Sequence, residues 1–186
     1  MQDPLTSLPN LITYGRVVAV PIVCALLVAD SPVARWTAVI LFILASVSDF
    51  LDGYLARRMN LNSALGRMLD PIADKLLVGA VIVTLAYTRD FSALDLVPAI
   101  AILGREILVS GLREYLGPRN IVVHVTALAK WKTTLQLVAL TIVMLEAIVP
   151  GLSLVSDLAL WLAAAITVWT GFEYFRGAWP HLRGAE

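Results

Sequence analysis

Six apolar runs, each close to the length needed to cross a bilayer, leave this chain few folds to choose from. They cover residues 11–29, 34–56, 69–88, 94–112, 133–149 and 154–175. A helix crosses the hydrocarbon layer in about 20 residues. None of the runs alternates apolar and polar residues with the period of two that a membrane barrel requires. Backbone amides in lipid must be satisfied within their own segment, so helices are expected. The expected fold is an all-α integral membrane protein with six transmembrane helices. Composition agrees: 59% of the 186 residues are hydrophobic, and the mean hydropathy is +0.82. A soluble domain of this size carries more charge.

Asp30-Ser31-Pro32, Thr88-Arg89-Asp90 and Pro150-Gly151 punctuate the runs. Such short connections predict antiparallel neighbours. With the N-terminus in the cytoplasm, only Arg35 and Arg89 of the fourteen basic residues fall in outer loops. The rule that basic loops stay inside then puts both termini on the cytoplasmic side. The stretch MQDPLTSLPN has an acid and no basic start, so the first run is expected to be a retained span rather than a cleaved signal. Residues 4–16 are expected to lie in the interface ahead of that span. Tyr14, Trp36, Trp161 and Trp179 fall near run ends, where aromatic rings anchor to headgroups. The one cysteine, Cys24, sits within an apolar run and reads as packing. No internal repeat or composition break divides the chain, so residues 1–186 are expected to form a single membrane domain. Net charge is zero and points to no class of partner; no nucleic-acid partner is expected.

Residues 48–77, SDFLDGYLARRMNLNSALGRMLDPIADKLL, carry the chemistry. Asp49 and Asp52 are three apart and Asp70 and Asp74 four apart, so each pair shares a helix face. The polar turn around Asn60 and Asn62 brings the second helix back along the first. Two antiparallel helices then aim four carboxylates into one cavity near the cytoplasmic face. Ionisable groups in membrane segments are costly and point to function. Four acids of one sign need cations, and oxygen ligands suit a divalent metal used in phosphate chemistry. Gly53, Ala56 and Gly66 leave room beside them. Arg57 supplies a fixed positive group for a phosphate. Pro71 is expected in an early turn of the third helix or at a kink near its start, with Asp70 as a local cap. A divalent-cation transporter is the alternative that acids in spans also allow.

The order Asp49-x2-Asp52-Gly53-x2-Ala56-Arg57-x8-Gly66-x3-Asp70-x3-Asp74 resembles the motif of the CDP-alcohol phosphatidyltransferases at all eight fixed positions. Chance agreement at ordinary residue usage is about 10⁻⁹ per start position. Asn10-x2-Thr13-x2-Arg16 is similar to the start of that family's first helix. Residues 104–114, GREILVSGLRE, and 130–136, KWKTTLQ, resemble its phosphatidylglycerophosphate synthase branch.

The resemblance implies a homodimeric enzyme of the bacterial cytoplasmic membrane. It would move the phosphatidyl group of CDP-diacylglycerol to sn-glycerol 3-phosphate, with Mg²⁺ or Mn²⁺ as cofactor. Asp49, Asp52, Asp70 and Asp74 would hold metal, and Asp74 would also be the general base. Thr13, Gly53, Arg57 and Gly66 would handle the CDP group. Two anionic substrates meeting at four acids need added positive charge. Arg105, Arg113, Lys130 and Lys132 are the available supply for the acceptor phosphate, although cytoplasmic positive charge or lipid headgroups would account for them too. Glu106 and Glu114 would orient these cations or pair with them. Inositol phosphate, serine and phosphatidylglycerol remain alternative acceptors.

Overall fold

In a computed structural model the described residues form six α-helices: α1 (Leu8–Val28), α2 (Pro32–Met59), α3 (Ala64–Tyr87), α4 (Leu96–Leu116), α5 (Ala127–Glu146) and α6 (Ser153–Leu182). A 3-10 turn, Gly117–Arg119, follows α4. The structure describes the backbone of residues 8–29, 31–59, 64–119, 121 and 127–183. Side chains are described over the same residues except 8, 9, 49–59, 64, 67, 118, 127, 129 and 130. No strand occurs among the described residues.

Each helix matches one apolar run, but the ends differ in a regular way. α1, α3 and α5 begin before their runs, and α2, α4 and α6 continue past theirs. The opposite ends stay close to the run boundaries. Apolar length measures what suits lipid, whereas Ala, Leu, Lys, Arg and Glu continue a helix equally well in water. Three local expectations need correcting for the same reason. Helix α3 starts at Ala64, so Pro71 lies inside it, about two turns from its start and past the early-turn alternative. Asp70 is therefore a mid-helix residue and not a cap. Leu8 to Arg16 is the unbroken start of α1 rather than a separate segment; residues 4–7 lie outside the described set.

The chain packs as two compact units: Met1–Asp90 with Met144–Pro150, and Phe91–Val143 with Gly151–Glu186. In the first unit α1 packs along both α2 and α3, which meet each other only briefly among the described residues. Asn10, Thr13, Arg16, Val20, Val23 and Leu27 form the buried stripe of α1, at helical spacing. Ala38, Val39, Phe42 and Ala45 face inward from α2. Small residues there let the backbones approach closely. From α3 come Ala73, Leu77, Val81 and Leu85. In the second unit α4 packs on α6.

Polarity runs opposite to that of a water-soluble bundle. Arg16, Gln136 and Thr167 are at most 2% exposed, while Val33, Leu108, Leu158 and Phe172 are each more than 60% exposed. Two helical segments, Asn10–Val28 and Ser153–Leu182, are long and apolar enough to cross a membrane by length and composition. Charged residues within α3, α4 and α5 interrupt the apolar length of those helices.

The end of α3 shows how one turn is fixed. Arg89 has φ +61°, and the Asp90 amide donates to the Leu85 carbonyl at 3.0 Å. This is the left-handed close of a helix, a position that favours glycine. Asp90 accepts three charged bonds from Arg35, one from Nη1 at 2.9 Å and two from Nη2 at 2.8 and 2.9 Å. Thr88 also donates to it. The start of α2 is thereby pinned to the end of α3 by a nearly buried pair. Arg89→Gly should raise stability by about 1 kcal/mol, because it removes the steric cost of the left-handed backbone. Thermal unfolding in detergent measures this; a lowered midpoint would contradict it.

Candidate active site

A side-chain hydrogen bond in the first unit joins α1 to α3. Thr13 Oγ1 donates to Asp70 Oδ1 at 2.7 Å across 57 residues of chain. Thr13 is 1% exposed, and Asn10 and Arg16 are buried one turn to either side of it. These three sit at steps of three residues, so they form a polar stripe on a helix that is otherwise apolar. On α3, Gly66, Asp70 and Asp74 follow at steps of four, along one side of the helix. Gly66 is buried and both aspartates are half-buried. Buried Ala73 and Leu77 beside them fix the rotation of α3 against its neighbours.

Thr13, expected beside the CDP group, bonds the Asp70 carboxylate instead of standing free on α1. Its hydroxyl engages one carboxylate oxygen of Asp70 and so restrains that side chain. Asp70 and Asp74 offer hard oxygen donors of the kind Mg²⁺ and Mn²⁺ take, and a hydroxyl holding a ligand carboxylate is a recurrent metal-site feature. The residues present thus fit a divalent ion. Asp49, Asp52, Gly53 and Arg57 lie on the last turns of α2, but their side chains fall outside the described residues. Among the described residues no three His, Cys, Asp or Glu side chains cluster; Asp49 and Asp52 are outside that comparison. Thr13→Val should weaken metal-dependent activity by about 10-fold, the lower range for a partner that orients a ligand. A titration of rate against Mg²⁺ checks this, and an unchanged curve would contradict it.

The second unit holds a buried charged cluster. Glu106 of α4 accepts Lys132 of α5 and, at 3.0 Å, Arg105 Nη1. Gln136 Nε2 lies 3.4 Å from the same carboxylate oxygen and donates to Thr167 Oγ1 of α6 at 3.0 Å. Arg105 Nη2 reaches Thr170 Oγ1 at 3.5 Å. The side chains of Arg105, Glu106 and Lys132 are about nine-tenths buried. Arg113 stands two turns further along α4, exposed, with its guanidinium 5.3 Å from the centre of the Tyr174 ring. Arg105 is also the one charged residue lining an open apolar groove of about 830 Å³ along α4 and α6.

Of the four expected acceptor-side cations, the structure joins Arg105 and Lys132 through Glu106. It stacks Arg113 separately on Tyr174, and the side chain of Lys130 lies outside the described residues. Thr167, Thr170, Gly171 and Tyr174 were not singled out in the sequence. Their spacing of three, one and three residues marks one face of α6 and is the signal that finds them.

A helical fold that carries the motif acids along α2 and α3 is what a phosphatidyltransferase requires, and comparison with known proteins supplies the class. The chain matches the profile of the CDP-alcohol phosphatidyltransferase family over residues 6–169. It is 47% identical over 173 residues to CDP-diacylglycerol--glycerol-3-phosphate 3-phosphatidyltransferase of Rickettsia bellii, covering 91% of this chain and 94% of that one. It is 39% identical over 218 residues to the protein of the same name in Cereibacter sphaeroides, covering 95% and 97%. It is also 39% identical over 196 residues to a cardiolipin synthase (CMP-forming) of Oryza sativa, covering 94% of this chain and 58% of that one. The chain belongs to the CDP-alcohol phosphatidyltransferase family.

Proposed function

We propose that this chain transfers the phosphatidyl group of CDP-diacylglycerol to the 1-hydroxyl of sn-glycerol 3-phosphate, giving phosphatidylglycerophosphate and CMP. The observation that carries this reading is the Thr13–Asp70 bond, which seats the acids of α3 against the buried polar stripe of α1. The names of the bacterial relatives support the acceptor.

Asp49, Asp52, Asp70 and Asp74 would hold divalent metal, Mg²⁺ or Mn²⁺, which would supply neutralisation of pyrophosphate charge. Gly53 and Gly66 leave space for the CDP group and Arg57 pairs with its phosphates. Asp74 takes the proton of the acceptor hydroxyl. The new oxygen–phosphorus bond forms at the β-phosphorus as the bond to CMP breaks, with the two oxygens roughly in line. Arg105, Arg113, Lys130 and Lys132 hold the acceptor phosphate against the charge of the four acids.

The chain works as one catalytic membrane domain of six spans, as a homodimer in a bacterial cytoplasmic membrane. The apolar exteriors of the helices support burial in lipid. The basic residues support a cytoplasmic site and cytoplasmic termini. The helix extensions past the apolar runs, all at the expected cytoplasmic ends, support the same orientation.

The likeness to a cardiolipin synthase keeps phosphatidylglycerol as a second acceptor to be tested. Purified protein in mixed micelles would be offered CDP-diacylglycerol with glycerol 3-phosphate, phosphatidylglycerol, inositol phosphate or serine. CMP release and product lipid are scored. The reading expects release with glycerol 3-phosphate. Release only with another alcohol overturns it.

A further inference from the structure

We infer that Glu106 is a positioning residue for the acceptor. It holds Arg105 and Lys132, from different helices, as one fixed pair of cations, and Gly171 of α6 sets the direction of Arg105. The inference rests on the reading of Arg105 and Lys132 as holders of the acceptor phosphate.

Two like charges repel, and strongly so where water is scarce. Lys132 is 6% exposed and Glu106 9%. Buried charges of this kind persist only when paired and hydrogen-bonded. One oxygen, Glu106 Oε1, accepts from both Lys132 Nζ and Arg105 Nη1. Without a carboxylate between them the two cations would swing apart or lose charge. With it they form a unit of net charge plus one. A phosphate monoester, near minus two at neutral pH, still gains by approaching that unit. Gln136 and Thr167 hold the carboxylate side, and Thr170 reaches the Arg105 side. Helix α6 therefore serves as the floor of the cation pair rather than as a plain hydrophobic span.

Gly171 shows how close that floor is. A Cβ added there would lie 2.7 Å from Arg105 Cγ and 3.3 Å from its Nε. The contact falls at the root of the arginine side chain, so the whole guanidinium must move. Gly171→Ala thus redirects Arg105 while leaving the Glu106 side chain chemically unchanged.

The test separates the two Michaelis constants in the detergent-solubilised full-length enzyme. Glu106→Gln and Gly171→Ala are each expected to raise KM for sn-glycerol 3-phosphate about 10-fold or more, the range for a residue that orients a binding group. KM for CDP-diacylglycerol should stay within about twofold, since a lost ground-state contact appears in the constant of its own substrate. Glu106→Asp keeps the charge and should restore part of the acceptor affinity. Folded Glu106→Gln protein with lowered thermal stability and no selective change in acceptor KM would mean a purely structural role and would overturn the inference. Should Glu106→Gln fail to fold, Gly171→Ala decides alone, and an unchanged acceptor KM in that variant overturns the inference. Arg105→Ala and Lys132→Ala test the reading beneath it. If neither alters acceptor KM, the acceptor site lies elsewhere and both ideas fall. If both alter it while Glu106→Gln and Gly171→Ala do not, only the positioning role is lost.

Discussion

Asp74→Asn should lower the turnover number by about 100- to 10,000-fold, the usual contribution of a positioned general base. Asp74 lies one helical turn beyond Asp70 on the same side of α3, half-buried. An amide in its place has nearly the same shape and cannot take the proton of the acceptor hydroxyl. The substitution leaves the Thr13–Asp70 contact in place, so CDP-diacylglycerol should still bind with an affinity within a few-fold of the parent. Single-turnover CMP release, set beside equilibrium binding of the nucleotide lipid, measures both halves. Full CMP release by the variant would remove Asp74 from the base role.

Asp70→Asn should produce the second large loss, and through a different route. The asparagine carbonyl can still accept the Thr13 hydroxyl, so the packing of α1 on α3 should survive. What disappears is the negative charge offered to a divalent ion. The expected effect is a greater demand for Mg²⁺ or Mn²⁺ than in Thr13→Val, which leaves the ligand in place and disturbs only its orientation. A loss beyond the roughly 10- to 100-fold typical of orienting partners is therefore expected. Rates measured across a wide metal range distinguish the two. Equal metal dependence in Asp70→Asn and the parent would take Asp70 out of the metal site.

Much of this was legible before any coordinates. Uniform apolar runs bounded by Asp, Pro and Gly forecast six helices in the correct order, because apolar length and turn chemistry are local properties. The ends were less legible. Residues 64–68 and 127–132 are polar or mixed, and hydropathy does not separate helix in water from loop. That is why Pro71 was expected near a helix start and lies inside α3. Asp70 and Asp74 stand out in the sequence as charged residues in an apolar run, whereas Thr13 comes forward only through the family resemblance, and its bond to Asp70 is a tertiary fact. The α6 face did not stand out. Thr167, Thr170 and Gly171 are only weakly polar, and their role depends on Gln136 and Arg105, which approach from other helices. The joining of Lys132 to Glu106, 26 residues apart, is likewise a tertiary fact that no local pattern encodes.

The central claim is that the acids at the end of α2 and those of α3 form one divalent-metal centre. Mn²⁺ binding to the purified protein, followed by electron paramagnetic resonance without substrate, tests it most directly. Asp49→Asn, Asp52→Asn and Asp70→Asn should each weaken binding of the same ion. Mn²⁺ affinity that falls with substitutions on one helix and stays unchanged with those on the other would contradict a shared centre.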